Sequence, residues 1–220
     1  VNVFERDLNG NLNYLESEYE ISFFGYEAGA LSDDNKFLFA VGGDSNDPGA
    51  HDGFIRVFER NVLTGFLNPV FDVSDNGGGR LKEANDVIFA GNMLYVAALD
   101  DAVISIYDWD NINKTLNYKN SVSTDGLPWT ITYNSLEERV YVGTFGSGYT
   151  GDLKVFARNG DGSLTLEKSY ADLSPYGKFG RVSSVTLSNN KLFAYATNDS
   201  TFSDYMGVAH FRTQSAPYVS

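Results

Sequence analysis

Residues 52–69 read DGFIRVFERNVLTGFLNP, and how this stretch folds decides the rest. Within FIRVFER, Ile55 and Val57 fall on one side of a period of two. Arg56 and Glu59 cannot both be core. β-Branched and aromatic residues dominate the run, as a packed pleated surface favours. The polar RNVLTG that follows supplies Asn and Gly where a tight turn needs positive φ. Residues 52–69 are therefore a strand, a turn and the start of a second strand.

The same phrase recurs along the chain. VNVFERDLNGNLNY opens it, ISIYDWDNINKTLNY starts at Ile104 and LKVFARNGDGSLTL starts at Leu153. A weaker echo, GVAHFRTQ, starts at Gly207. The aromatics Phe4, Phe58, Tyr107, Phe156 and Phe211 mark a period of roughly fifty residues, the length of one four-stranded propeller blade. Each unit reads as strands A to D. Strand A is ANDVIFA, PWTITYN or VSSVTLS; strand B is FLFAVGG, MLYVAAL, RVYVGTF or KLFAYAT. Strand C is the phrase itself, and strand D follows its turn. No long stretch carries apolar residues at helical spacing. The expected fold is all-β: a β-propeller of four-stranded antiparallel blades, about four to five of them. It forms a single domain over 1–220, with units near 1–20, 28–73, 84–122, 128–170 and 182–212.

Composition narrows the functions. The net charge of −13 argues against nucleic acid and against anionic membrane surfaces, both of which require clustered Lys and Arg. No apolar run is long enough to cross a bilayer, so membrane insertion is not expected. The absence of cysteine removes disulfides and thiolate chemistry. The chain begins at Val1, which reads as a processed chain or a piece of a larger multidomain protein.

DGLPWTITYNSLEERVYVGT, followed by a C strand and RNGDGSLTLEK, resembles the repeat of the lactonase-type seven-bladed propellers. That family includes the 6-phosphogluconolactonase-like enzymes and YVTN-type surface repeats. The resemblance covers nearly the whole chain and lies in the blade scaffold. Because a seven-bladed ring needs more chain than this, it implies a partial or reduced ring.

Strand alternation places the B–C loops and D–A connections on one face of such a propeller. These segments are the longer and less regular ones, where function concentrates. In the first B–C loop, Asp44, Asp47, His51 and Asp52 could hold a divalent cation such as Ca2+, although their spacing matches no defined metal loop. The D–A connections carry Tyr26, Glu27, Arg80, Glu83, Asp86, Trp129, Tyr176, Phe179 and Arg181 toward the channel entrance. Tyr149 and Tyr205 are expected on the same face. Aromatic rings mixed with carboxylates suit sugar binding, through stacking and hydroxyl hydrogen bonds. His210, at the place of Val57 in strand C, reads as structural.

Two functions from different classes remain open at this point. One is a non-catalytic recognition or adhesion module that binds a glycan or protein through the loop face, an arrangement that favours an extracellular or cell-surface location. The alternative, implied by the resemblance, is a lactonase-like hydrolase. Water would attack the ester carbonyl, Glu27 or Asp86 would act as general base, and Arg181 would hold an anionic substrate or the oxyanion.

Overall fold

A computed structural model describes residues 1–17, 25–43, 53–75, 78–146, 151–171, 181–188, 191–197 and 206–212, the last of these as backbone only. Every element assigned among them is a strand. The chain opens with a hairpin, β1 (Asn2–Arg6) and β2 (Leu12–Ser17). Three antiparallel four-stranded sheets follow, each paired in simple sequence order. The first holds β3 (Ala28–Leu31), β4 (Phe37–Gly43), β5 (Gly53–Arg60) and β6 (Leu67–Ser74). The second holds β7 (Ala84–Ala90), β8 (Met93–Ala98), β9 (Val103–Asp110) and β10 (Thr115–Ser123). The third holds β11 (Leu127–Asn134), β12 (Arg139–Phe145), β13 (Leu153–Arg158) and β14 (Leu164–Tyr170). A three-stranded sheet of β15 (Arg181–Ser188), β16 (Lys191–Thr197) and β17 (Met206–Arg212) ends the described chain.

Alternation along the second strand of each sheet explains how the sheets stack. In β8, Leu94 and Val96 pack against the first sheet, whereas Tyr95 and Ala97 pack against the third. In β12, Val140 and Val142 face the second sheet and Tyr141 faces the fourth. β8 and β12 are thus buried on both faces, so consecutive positions along each strand belong to the core. The innermost strands β3, β7, β11 and β15 lie beside one another in that order. Sheets packed face to face with their first strands adjacent describe radial blades about an axis.

Polar contacts lock neighbouring sheets at the end away from those strand starts. The Tyr95 hydroxyl, fully buried, donates to the Gly162 carbonyl at 2.8 Å and accepts from Arg158 Nε at 2.9 Å. The same guanidinium donates to the Ala90 and Gly91 carbonyls of the second sheet and to Glu138. One arginine of the third sheet therefore bonds to three groups of the second, the Tyr95 hydroxyl and the Ala90 and Gly91 carbonyls.

Candidate functional site

The starts of β7, β11 and β15 share one irregularity. Each ladder slips by one residue, between Ala84 and Asp86, between Pro128 and Thr130, and between Val182 and Ser184. The residues left out of pairing are Asn85, Trp129 and Ser183. Such bulges re-aim a side chain, and here they do so at equivalent places on three adjacent inner strands.

The re-aimed groups form a band across the sheets. Asn85 Nδ2 donates to the Trp129 carbonyl at 2.6 Å. The Arg181 guanidinium lies over the Trp129 ring, 4.3 Å from its centre. Arg181 Nε donates to Ser183 Oγ at 3.4 Å. Among the described residues no carboxylate pairs with Arg181. A guanidinium stacked on indole keeps its edge N–H groups available for a planar acceptor. Arg181 and Trp129, two residues the sequence points to, are therefore brought together from different sheets.

Asp86 sits in the same band but is engaged by backbone. Its Oδ2 accepts from Ile131 N at 2.9 Å in the next sheet, and its Oδ1 accepts from Val87 N at 2.8 Å. The Thr130 hydroxyl adds a third bond. Burial nevertheless pushes the carboxyl above its ordinary value of 3.8, against the pull of those three donors. The unfolded chain holds Asp86 near 3.8, and the folded chain holds it higher. Between the two values the native state binds more protons, so this group's contribution to stability falls as pH rises through that window. In urea titrations, the stability of the wild type relative to Asp86→Asn is expected to decline as pH climbs from 3.8. A difference that stays flat over that range would show that the folded carboxyl has ordinary acidity.

The other expected site residues are dispersed. Glu27 is exposed at the foot of β3, where its amide donates to the Val41 carbonyl. Tyr26 packs edge-on to Phe54 and Phe58, at 5.6 and 6.1 Å between ring centres, and its hydroxyl accepts from Arg56 at 3.4 Å. Arg80 lies 4.1 Å over the ring of Tyr118, on the outermost strand of its sheet, away from the Trp129–Arg181 pair. Glu83 adopts a left-handed φ of 49° as its carbonyl accepts from Leu99 N. Asp44, Asp47, His51, Asp52, Tyr149, Tyr176, Phe179 and Tyr205 lie outside the described residues. Among the described residues no group of three or more His, Cys, Asp or Glu could hold a metal ion. The backbone of His210 sits opposite Phe193 as Val57 sits opposite Phe39, in the structural register expected for it.

Sequence reasoning missed Asn85, Thr130 and Ser183. Their signal was positional: aligning the three A strands places Asn85, Trp129 and Ser183 in one column.

No protein-family model matches the chain, and no curated protein is similar to it. Solved structures are similar in shape. A provisional 6-phosphogluconolactonase of Bacteroides uniformis aligns with 98% of this chain and 79% of its own, with 14% identity and a TM-score of 0.53. The Pseudomonas aeruginosa periplasmic gluconolactonase aligns with 96% of this chain and 78% of its own, at 14% identity and a TM-score of 0.52. A chain of the mitotic checkpoint complex aligns with 86% of this one and 51% of its own, at 14% identity and a TM-score of 0.60. The chain folds as a β-propeller. Identities this low carry the architecture alone, and propellers of one architecture serve unrelated functions. The propeller's neighbours accordingly include both lactonase-type structures and a chain from a protein assembly. In the propeller, the Asn85–Trp129–Arg181 band runs along the starts of the innermost blade strands. No helix of the described residues is long and apolar enough to cross a membrane.

Proposed function

We propose that this propeller is a non-catalytic recognition module whose inner rim binds a carboxylate-bearing glycan or protein ligand. The observation that carries the reading is Arg181, held flat on Trp129 with no carboxylate partner among the described residues, in a chain of net charge −13. A stacked guanidinium presents two parallel N–H groups, the geometry that takes a carboxylate bidentately. Asn85 and Ser183 line the same band and supply further polar contacts for hydroxyl groups. A Ca2+ ion held by Asp44, Asp47, His51 and Asp52, which lie outside the described residues, is a further part of this reading.

An array of acidic and neutral glycans, run with and without EDTA, tests the reading. Uronate-bearing glycans are expected to bind the wild type, and Arg181→Ala is expected to weaken them by roughly tenfold or more, the loss of a charge-assisted pair. Arg181→Lys should recover little, since an ammonium lacks the planar fork. A drop with EDTA would assign a role to Ca2+. No binding by a folded sample in either condition would remove the glycan reading.

A lactonase-like hydrolase is the second reading, favoured by the raised pKa of Asp86 and the likeness to gluconolactonase structures. In it Arg181 holds the anionic substrate or the oxyanion, and a carboxylate draws the proton from water. Asp86 already accepts two backbone amides and a hydroxyl, which leaves exposed Glu27 the more available base. Turnover of lactones by the wild type, abolished in both Glu27→Gln and Arg181→Ala, would favour the enzyme.

A further inference from the structure

Strand register places a fourth residue in the column of Asn85, Trp129 and Ser183. In each sheet the residue three positions before the repeat's marker aromatic pairs with one residue of the second strand. These pairs are Ile55 with Val41, Ile104 with Ala97, Leu153 with Gly143 and Val208 with Tyr195. The second-strand residues pair in turn with Ala28, Asp86, Thr130 and Ser184 of the inner strands. Just before each of those stand Glu27, Asn85, Trp129 and Ser183. Glu27 therefore holds on β3 the place that the bulged residues hold on β7, β11 and β15. Its side chain is exposed, and among the described residues no cation pairs with it. Because the inner strands lie in the order β3, β7, β11, β15, the rim runs from a carboxylate at Glu27 to a guanidinium at Arg181. Asn85 and Trp129 stand between the two charges.

We propose that this rim binds an extended peptide, which gives a carboxylate to Arg181 and a lysine or arginine side chain to Glu27; the proposal rests on the recognition reading above and narrows its ligand. Asn85 spends its Nδ2 on the Trp129 carbonyl, while its Oδ1 accepts no bond among the described residues and is open to a peptide N–H. A polyuronate carries no cation for Glu27. A peptide carries both signs of charge and an N–H at nearly every residue. Stacked sheets lie about 10 Å apart and inner strands converge, so three steps along the rim come to roughly 15–25 Å, the reach of about five to seven extended residues. The acidic surface as a whole would attract any cation, whereas the rim asks for a cation at a set distance from a carboxylate.

Isothermal titration with acetylated octapeptides of Gly, Ser and Tyr, each ending in a free carboxylate, tests the proposal. Salt at about 0.15 M screens the general field of the chain. The first peptide carries Lys at its second position, the second carries Gln there, the third carries its Lys beside the last residue, and the fourth carries Glu in place of the first peptide's Lys. The first is expected to bind roughly three- to fivefold tighter than the second, the scale of an exposed ion pair, and the third to gain nothing over the second. Arg181→Ala should weaken the first by roughly tenfold. Glu27→Gln should bring the first down to the level of the second. Glu27→Lys should prefer the fourth peptide to the first, a gain that misfolding cannot produce. Equal binding of the first and second peptides overturns the proposal, and loss of that binding in Arg181→Ala would leave the recognition reading standing. A third peptide as tight as the first overturns it too, as does a lysine advantage that persists in Glu27→Gln, which would belong to the general negative field. Should no octapeptide bind a sample that binds uronate glycans, the peptide falls and the glycan stands; should neither bind, both readings fall.

Discussion

Replacing Gly53 with valine is expected to lower stability by about 3 kcal/mol or more, the cost of overpacking a site that cannot relax. A Cβ on residue 53 would stand 1.5 Å from the Leu81 carbonyl oxygen, 2.6 Å from its carbon and 3.1 Å from Ala84 N. All three are backbone atoms, so no side-chain rotation relieves the clash. Gly53 marks where the first sheet's third strand approaches the connection that enters the second. Opening that gap would displace Leu81 and Ala84, both fully buried, from the cluster shared by the two sheets. For a chain of this length the midpoint of thermal unfolding should fall by roughly 6–12 °C. Gly160 is the control. It is exposed, a Cβ there would meet nothing within 4 Å, and its φ is not left-handed. Gly160→Ala should change stability little, or raise it by up to about 1 kcal/mol through the unfolded state. Similar midpoints for Gly53→Val and Gly160→Ala would show that the sheets do not approach so closely.

Trp109→Ala is expected to cost about 3–5 kcal/mol, in the range of large aromatic truncations. Its ring lies between the first two sheets, edge-on to Phe37 at 4.9 Å and to Phe39 at 5.1 Å, and parallel to Phe71 at 6.4 Å. These neighbours are themselves rigid rings, so they collapse poorly into the void. The buried indole N–H has no hydrogen-bond partner among the described residues. Trp109→Phe should therefore cost far less, because it removes an unsatisfied donor together with part of the ring. Urea midpoints of the two variants read the contrast directly. Equal losses for Phe and Ala would mean that the N–H makes a contact of its own.

These two variants probe the same thing the repeat encodes, which is contact between sheets. Strand identity was legible because the period of two is local. Phe37–Gly43, Ala84–Ala90, Arg139–Phe145 and Lys191–Thr197 appear as strands with the limits their apolar runs imply. The C–D turns were legible for the same reason, as Asp7, Asp110 and Asp161 each cap their own turn with bonds to nearby amides.

The rim was legible only in part. Trp129 and Arg181 stood out by residue type, but nothing local joins two residues roughly fifty positions apart. Their contact depends on two inner strands lying side by side and on a bulge in each. The same bulges recruit Asn85 and Ser183, ordinary polar residues with no motif around them. Asp86 and Arg80 illustrate the converse. Both carry charges that suit a site, yet Asp86 is drawn into backbone bonds across the sheets and Arg80 is turned outward onto Tyr118.

By itself the sequence determined the strands, their turns, their repetition and the acidic surface, since each follows from alternation or composition within a few residues. The tertiary structure decided which face of each strand meets which neighbour, which polar groups converge on the rim and which are consumed as stitches. Those outcomes depend on the stacking of sheets, where a side chain's partners come from a unit far away in the chain and its chemistry is set by what that unit presents.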